Sequence, residues 1–315
     1  MVAITVVGEV VLDCVVSAGA INKVPGGCAA NQALALARLG ASVELRARYS
    51  IDENGRYLRQ FIVDQGVEVQ NSIAANEPAL VITITKDDTG HPTFNYGELV
   101  NCADWYWTEA EISKPLPLGT DAILTGSMAS VFPPGADVLL NWAEQQKQSG
   151  IVICYDLNIR AGSFFHFEQS QLRANYQSWL NLADIVKVSD EDLSWWATGE
   201  DPQEVARELS AVGSGKLVAL TRGASGAMVF YGGQLLCDVA APKVQAADTV
   251  GAGDTFIAWL VAGLLELPVE LRLDPKVVAS VTYDAVCAAA YNCTQTGCNP
   301  PTEAQLAEFI GNSAS

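Results

Sequence analysis

Apolar and polar positions along this chain follow two alternating rhythms. Strand-like runs occur at Val2 to Val7, Val43 to Arg48, Ala122 to Leu124, Ile151 to Tyr155, Ile185 to Val188, Leu217 to Leu220 and Ala227 to Tyr231. Helical spacing appears at Asn31 to Leu39, ended by Gly40, at Gly55 to Gln65, closed by Gly66, and at Ala136 to Gln148, stopped by Gly150. Ile151 to Tyr155 and Ile185 to Val188, the second interrupted only by Lys187, read as the near-continuous apolar strands that are buried on both faces. Strands alternating with helices predict βαβ crossovers and a mainly parallel sheet covered on both sides. Ligands of such sheets bind beyond the carboxyl ends of the strands.

Two stretches depart from this rhythm. Val10 to Val24 and Ala79 to Tyr96 read as strands without helices. Leu80, Ile82 and Ile84, then Phe94 and Tyr96, alternate across an Asp87-Asp88-Thr89-Gly90 turn, which signals a hairpin. A small β-flap over one end of the sheet fits both, with lid segments near 10–24 and 79–106; an ordinary edge hairpin has the same periodicity. No repeat or Pro/Ser-rich linker divides the chain, so residues 1–315 are expected to form one domain with a flap.

Composition narrows the function classes. A chain of 315 residues, half of them hydrophobic, supports a sizeable core. The formal charge of −18 argues against nucleic acid and anionic membranes as partners. Any polyanion site must then be built locally, from N–H groups, a few cations and metal. No basic region precedes an apolar leader, and the apolar run near Phe256 to Leu267 is too short for a bilayer, so cytoplasm is the expected compartment. The eight cysteines form no CxxC pair and the two histidines, His91 and His166, lie apart from them, so zinc spacing is absent and buried reduced thiols are expected.

The densest chemistry lies in Ala247-Asp248-Thr249-Val250-Gly251-Ala252-Gly253-Asp254-Thr255-Phe256, followed by an apolar helical run. A glycine-rich turn entering a helix aims unpaired N–H groups and the positive end of the helix dipole at one spot, an anion site. Asp254 beside it makes sense if the anion is a phosphoryl group in transit and Asp254 takes the proton of the attacking hydroxyl. A bare G-x-G-D is also an ordinary capped turn.

Together with Gly26-Gly27-Cys28-Ala29-Ala30-Asn31, this string resembles the two signatures of the ribokinase-like (PfkB) carbohydrate kinases, fructokinases above all. The resemblance runs from Gly8-Glu9 to Gly297-Cys298. It implies a three-layer α/β/α fold, ATP with Mg²⁺, and phosphorylation of a sugar or nucleoside hydroxyl under a β lid. It also implies roles for single residues. Asp13 would bind substrate hydroxyls, Gly26 and Gly27 would let the backbone approach the sugar, and Asn31 would read its hydroxyls. Gly251, Ala252, Gly253 and Asp254 would hold the phosphoryl and supply the base. Asp156-Leu157-Asn158-Ile159-Arg160 resembles the D-x-N-x-R of fructokinases and ketodeoxygluconate kinases, and places Arg160 at the cleft. Lys187-Val188-Ser189-Asp190-Glu191-Asp192 resembles the N-x-x-E element beside nucleotide and Mg²⁺. Ser189 replaces Asn there and Asp192 replaces Glu, so Glu191 is a second candidate; S-D-E-D is also a good helix start. Thr221, Gly223 and Gly226 match a T-x-G-x-x-G lining the nucleotide. Asp248 and Val250, with the Cys293-to-Cys298 loop, fall where relatives coordinate a monovalent cation such as K⁺ through carbonyls.

Substrate identity has thinner support. Phe94-Asn95-Tyr96 and Asn101-Cys102-Ala103-Asp104 resemble the fructokinase lid, F-Y-R then T-A-D, but lack its arginine. Fructose at O6, contacted by Asn95 among others, is the first expectation; ketodeoxygluconate, ribose and a nucleoside follow. A non-catalytic sugar- or nucleotide-binding regulator is the reading from another class, though a binder does not need the base. A nicotinamide dehydrogenase is disfavoured because no G-x-G-x-x-G follows the first strand. The resemblance also allows a homodimer through the lid.

Overall fold

The computed structural model describes residues 1–17, 20–86, 92–97, 99–213 and 215–313. The first strands are β1 (Ala3–Val7), β2 (Val11–Ser17), β3 (Ala20–Gly26), β4 (Ser42–Arg46), β5 (Arg48–Ser50), β6 (Ile73–Ala75), β7 (Val81–Lys86) and β8 (Pro92–Asn95). After them come β9 (Ala122–Gly126), β10 (Val152–Asp156), β11 (Ile185–Ser189), β12 (Leu217–Thr221), β13 (Ala227–Tyr231) and β14 (Gln234–Val239). The main sheet has eight strands in the order β14-β13-β12-β11-β10-β9-β1-β4, parallel except for the antiparallel β12-β13-β14 edge.

Successive side chains on each central strand go to opposite faces. Leu124, Cys154, Ile185 and Ala219 join the core beneath the Cys28–Leu39, Ala252–Glu266 and Pro275–Cys293 helices. Ile123, Tyr155, Val186 and Val218 join the core on the other face, under Ala136–Gln148 and Gln169–Leu182. Two-sided burial explains why these strands carry no polar alternation. Strand order reverses between β1 and β9, so the crevice beyond their carboxyl ends is a switch point of the sheet.

The two irregular stretches form a separate four-stranded sheet, β3-β2-β7-β8. Ile84 faces Phe94 and Thr83 faces Asn95 in the β7–β8 hairpin, as the alternation predicts. The expected Asp87–Gly90 turn lies outside the described residues. Buried Asp104 ties this sheet to the core, accepting the Val10 N–H at 2.9 Å. Buried Arg48 donates to the Ala103 carbonyl and pairs with Glu77 and Glu111, fixing the same segment.

Two departures from the pattern have physical causes. The run Val43 to Arg48 is not one strand: pairing with β1 ends at Arg46, and the Ala47 carbonyl takes the Ile73 N–H, which turns β5 into a small sheet with β6. Edge strand β14 was not evident in the sequence because Cys237 is its only buried residue. Among the described residues no helix is long and apolar enough to cross a membrane.

Candidate active site

The Ala252–Glu266 helix begins at Gly251, whose φ of 76° is left-handed and which has no side-chain cap. A Cβ at Gly251 would stand 2.4 Å from Cys298 Sγ, so glycine is required by both conformation and space. The first helical bond runs from Thr255 N–H to the Gly251 carbonyl, while Ala252 N–H turns back to Thr249 at 3.3 Å. The N–H groups of Gly253 and Asp254 therefore have no intrahelical partner and share the positive end of the helix.

Asp254, 5% exposed, sits in the first turn. Its Oδ2 accepts from Asn31 Nδ2 at 2.8 Å, and its Oδ1 is buried without a hydrogen-bond partner. Asn31 is carried by the Cys28–Leu39 helix, which starts right after Gly27. Burial pushes the Asp254 carboxyl above its usual pKa, against the pull of Asn31, Arg160, Cys28 and Lys187. One oxygen is thus fixed while the other remains free to take a proton.

Around Asp254 the strand ends gather a charged floor. Lys187 on β11 donates to Asp156 Oδ1 on β10 at 3.0 Å, and both are buried. Gln32 Nε2 reaches Cys28 Sγ at 3.0 Å and Asp156 Oδ2 at 3.4 Å. Cys28 Sγ and one carboxylate oxygen each of Asp156 and Asp254 lie within 4.8 Å of one another. Burial pushes Asp156 up to about 7 although Lys187 opposes it, and holds the Cys28 thiol well above its usual value. Glu9, just beyond β1, is buried, accepts the Ala129 N–H at 3.1 Å and is also raised by burial. All eight cysteines are free thiols, six of them buried, as expected.

The four-stranded sheet contributes Asp13 on β2. Its carboxyl is pushed up to about 6 by burial, against the attraction of Arg160. A Cβ on Gly26 would lie 3.0 Å from Asp13 Oδ2, so Gly26 makes room for that carboxylate. Tyr96 feels the charges of both Arg160 and Asp13, and its ring stands 6.4 Å from Phe165. Asn95 is exposed, and its Oδ1 accepts the Gly97 N–H at 3.0 Å.

At the end of β11, Ser189 and Asp192 form a reciprocal capping box. Asp192 Oδ2 accepts Ser189 N–H at 2.9 Å and Oδ1 accepts Ile159 N–H at 2.7 Å. Both oxygens of Asp192 are therefore committed to backbone, and one of them steadies the loop that carries Arg160. Glu191 in the same turn is exposed. Thr221 lies beside Ser189 across the β11–β12 ladder and leads into the short Gly223–Ser225 turn, closed by Gly226. Asp248 takes the N–H groups of Val250 and Gly297, binding the Gly251 approach to the Cys293-to-Cys298 loop. The Val250 carbonyl accepts the buried Asn292 amide at 2.7 Å.

Asp13, Asn31, Arg160, Lys187 and Asp254 thus lie close enough to feel one another's charge or to hydrogen-bond, with Thr221 at the end of the strand beside β11 and Asn95 on the four-stranded sheet. Sequence reasoning passed over Asp156, Cys28 and Gln32. Their signals were faint: a lysine inside the buried run Ile185 to Ser189, which demands a partner, and a cysteine in the first turn after Gly26-Gly27.

The pfkB family carbohydrate kinase model matches residues 1–305 of the chain. "Fructokinase-1" of Zea mays is 30% identical over 318 residues, covering 96% of each chain. The solved fructokinase of Vibrio cholerae O395, in its fructose-, ADP- and calcium-bound form, superposes with a TM-score of 0.85 at 25% identity, covering 98% of this chain and 99% of that one. A double mutant of that enzyme with fructose, ADP and potassium superposes equally well, covering 98% of both chains.

Proposed function

The chain belongs to the pfkB family of carbohydrate kinases, ATP-dependent enzymes that phosphorylate sugars, and we propose that its substrate is fructose, phosphorylated at O6 with Asp254 as general base. The observation that carries the mechanism is the pair of oxygens on Asp254, one held by Asn31 and the other buried without a partner. Fructose rests on the relatives, the Zea mays and Vibrio cholerae fructokinases among them.

In this reading Asp13 accepts hydrogen bonds from sugar hydroxyls and holds the acceptor hydroxyl toward Asp254 Oδ1. Asp254 removes its proton as the oxygen attacks the γ-phosphorus; the new P–O bond forms and the bond to ADP breaks. Because the transition state is loose, positioning and charge neutralisation supply most of the rate. The N–H groups of Gly253 and Asp254, the helix dipole and Arg160 face that charge, with Gly251 and Ala252 shaping the turn. The nucleotide lies along Thr221, Gly223 and Gly226, beside Ser189. The exposed Glu191 carboxylate fits a Mg²⁺ water shell better than Asp192, whose oxygens are already taken. Mg²⁺, when bound, neutralises phosphate charge. Asp248 and Val250 would offer carbonyls to a potassium ion, although the Val250 carbonyl has one lone pair committed to Asn292. A rate unchanged between potassium and choline salts would remove that ion from the account.

One observation favours a second substrate class. Tyr96 stands where fructokinase lids have arginine, and Phe165 beside it is 64% exposed. An aromatic lid wall suits a sugar with a flat apolar substituent, such as a nucleoside. ADP release from MgATP with fructose, ribose, ketodeoxygluconate, adenosine, inosine or no sugar separates these readings. The account expects one sugar at roughly 1–100 s⁻¹; sugar binding with no turnover on any of them would turn it toward a regulator.

A further inference from the structure

Lys187 occupies an unfavourable place for a cation. Along β11, Ile185 and Lys187 point to the face covered by the Cys28–Leu39 and Ala252–Glu266 helices, while Val186 and Val188 point away. The ammonium therefore reaches the helix start: a Cβ built on Gly253 would stand 3.1 Å from Nζ and 3.6 Å from Cε. A positive charge at a helix N-terminus opposes the macrodipole, and burying it without a partner is costly. The other buried lysine among the described residues, Lys216, does the opposite. It donates to the Leu180 carbonyl at the C-terminal end of the Gln169–Leu182 helix, where the dipole favours it. Two positive devices aimed at one spot make sense only where an anion arrives.

We propose that Lys187 is a positioning residue for phosphoryl transfer: tethered by Asp156, it charges the Gly253–Asp254 turn from beneath. The inference rests on the kinase reading above and departs from the sequence expectation that Lys187 touches nucleotide. Asp156 is the tether that makes the buried ammonium tolerable, and Gly253 leaves room for the lysine head close against the turn. The groups facing Asp254 are Asn31 and Cys28 from one helix, Asp156 and Arg160 from the end of β10 and its loop, Lys187 from β11, and Cys298 from the Cys293-to-Cys298 loop. Of these, Lys187 and Arg160 carry the positive charge.

Lys187→Met alone strands Asp156, so the test uses Lys187→Met/Asp156→Asn, a neutral pair of similar shape, beside Asp156→Asn and Lys187→Arg. We expect the double variant to fold and to lose about 100-fold in kcat, with KM for sugar and ATP within about threefold of wild type. Lys187→Arg restores part of that loss. Asp156→Asn leaves the ammonium unopposed, so the acid limb of its kcat profile moves to lower pH. A double variant with kcat within about threefold of wild type, a rise in ATP KM with kcat kept, or an unmoved acid limb in Asp156→Asn would each overturn the proposal. Pyrophosphate binding by calorimetry reads the same charge without turnover. Wild type should bind at least about tenfold more tightly than the double variant, and equal affinity also overturns it. If wild type turns over none of the sugars while this difference in affinity persists, the kinase reading fails and the placement of Lys187 stands.

Discussion

The cleft has a floor and a roof built on different terms. The floor, Asn31, Asp156, Lys187 and Asp254, grows from ends of the main sheet and two core helices, and all four side chains are at least nine-tenths buried. The roof, Asp13, Asn95 and Tyr96, grows from a four-stranded sheet and is partly or fully exposed. Apart from Asp254 Oδ1, polar groups on the floor are held by partners at hydrogen-bond distance, whereas the exposed Asn95 side chain on the roof accepts a bond from its own turn, from Gly97 N–H. Proton transfer needs atoms fixed to a fraction of an ångström, and a close-packed core supplies that. Under the proposed function, choosing a sugar needs surface that changes without loss of the fold, and the smaller, more exposed sheet offers it. The departures from the fructokinase pattern at the lid, Tyr96 and Cys102, fall on or beside the roof.

The comparison breaks most visibly at Asp254. Asp254→Asn should lower kcat by roughly 10²–10⁴ while sugar KM stays within about threefold, measured by coupled ADP release. Next is Asp13→Asn, which should raise sugar KM about tenfold or more and leave ATP KM unchanged, since it weakens charge-assisted bonds made to sugar alone. Gly251→Ala forces a side chain into a left-handed position against Cys298, and should cost about 1–3 kcal/mol in chemical denaturation. Adding Cys298→Ala should return part of that loss.

Base titration adds a pH test. Burial raises the Asp254 pKa above 3.8, and only the ionised form accepts a proton, so kcat should fall as pH drops through that raised value. The smallest effect concerns the hinge between floor and roof. Asp104 is pushed up to about 7 by burial, with Glu9 adding to it, from 3.8 when unfolded. The folded state then binds the proton more tightly, so this group's contribution to stability falls as pH rises from about 4 through about 7. Asp104→Asn keeps an acceptor for the Val10 N–H and should flatten that dependence. Melting temperatures at pH 5 and pH 8 check it, and equal slopes in the two proteins would contradict it.

What the sequence disclosed follows from how local each feature is. Gly251, Gly253 and Asp254 were legible because a glycine-rich turn and the helix after it are one continuous stretch. The central strands were legible because burial on both faces leaves near-continuous apolar runs, and the strands of the smaller sheet because half-burial leaves alternation. The hydrogen bond from Asn31 to Asp254 spans 223 residues, and no local pattern announces such a contact. Asp192 shows the same limit from the other direction. Its place in S-D-E-D read equally as a metal element or a helix cap, and only the approach of Ile159 N–H reveals that both oxygens are engaged. The lysine inside Ile185 to Ser189 signalled a buried partner, but its neighbour Asp156 comes from a strand pairing that the sequence leaves open.

The most direct test sets floor against roof in one assay. With the sugar that wild type phosphorylates fastest, kcat and KM would be measured side by side for Asp254→Asn and Asp13→Asn. Opposite signatures are expected, a collapse of kcat at near-constant KM for the first and a rise in KM for the second. Matching losses in both constants for both variants, or near-wild-type turnover in Asp254→Asn, would contradict it.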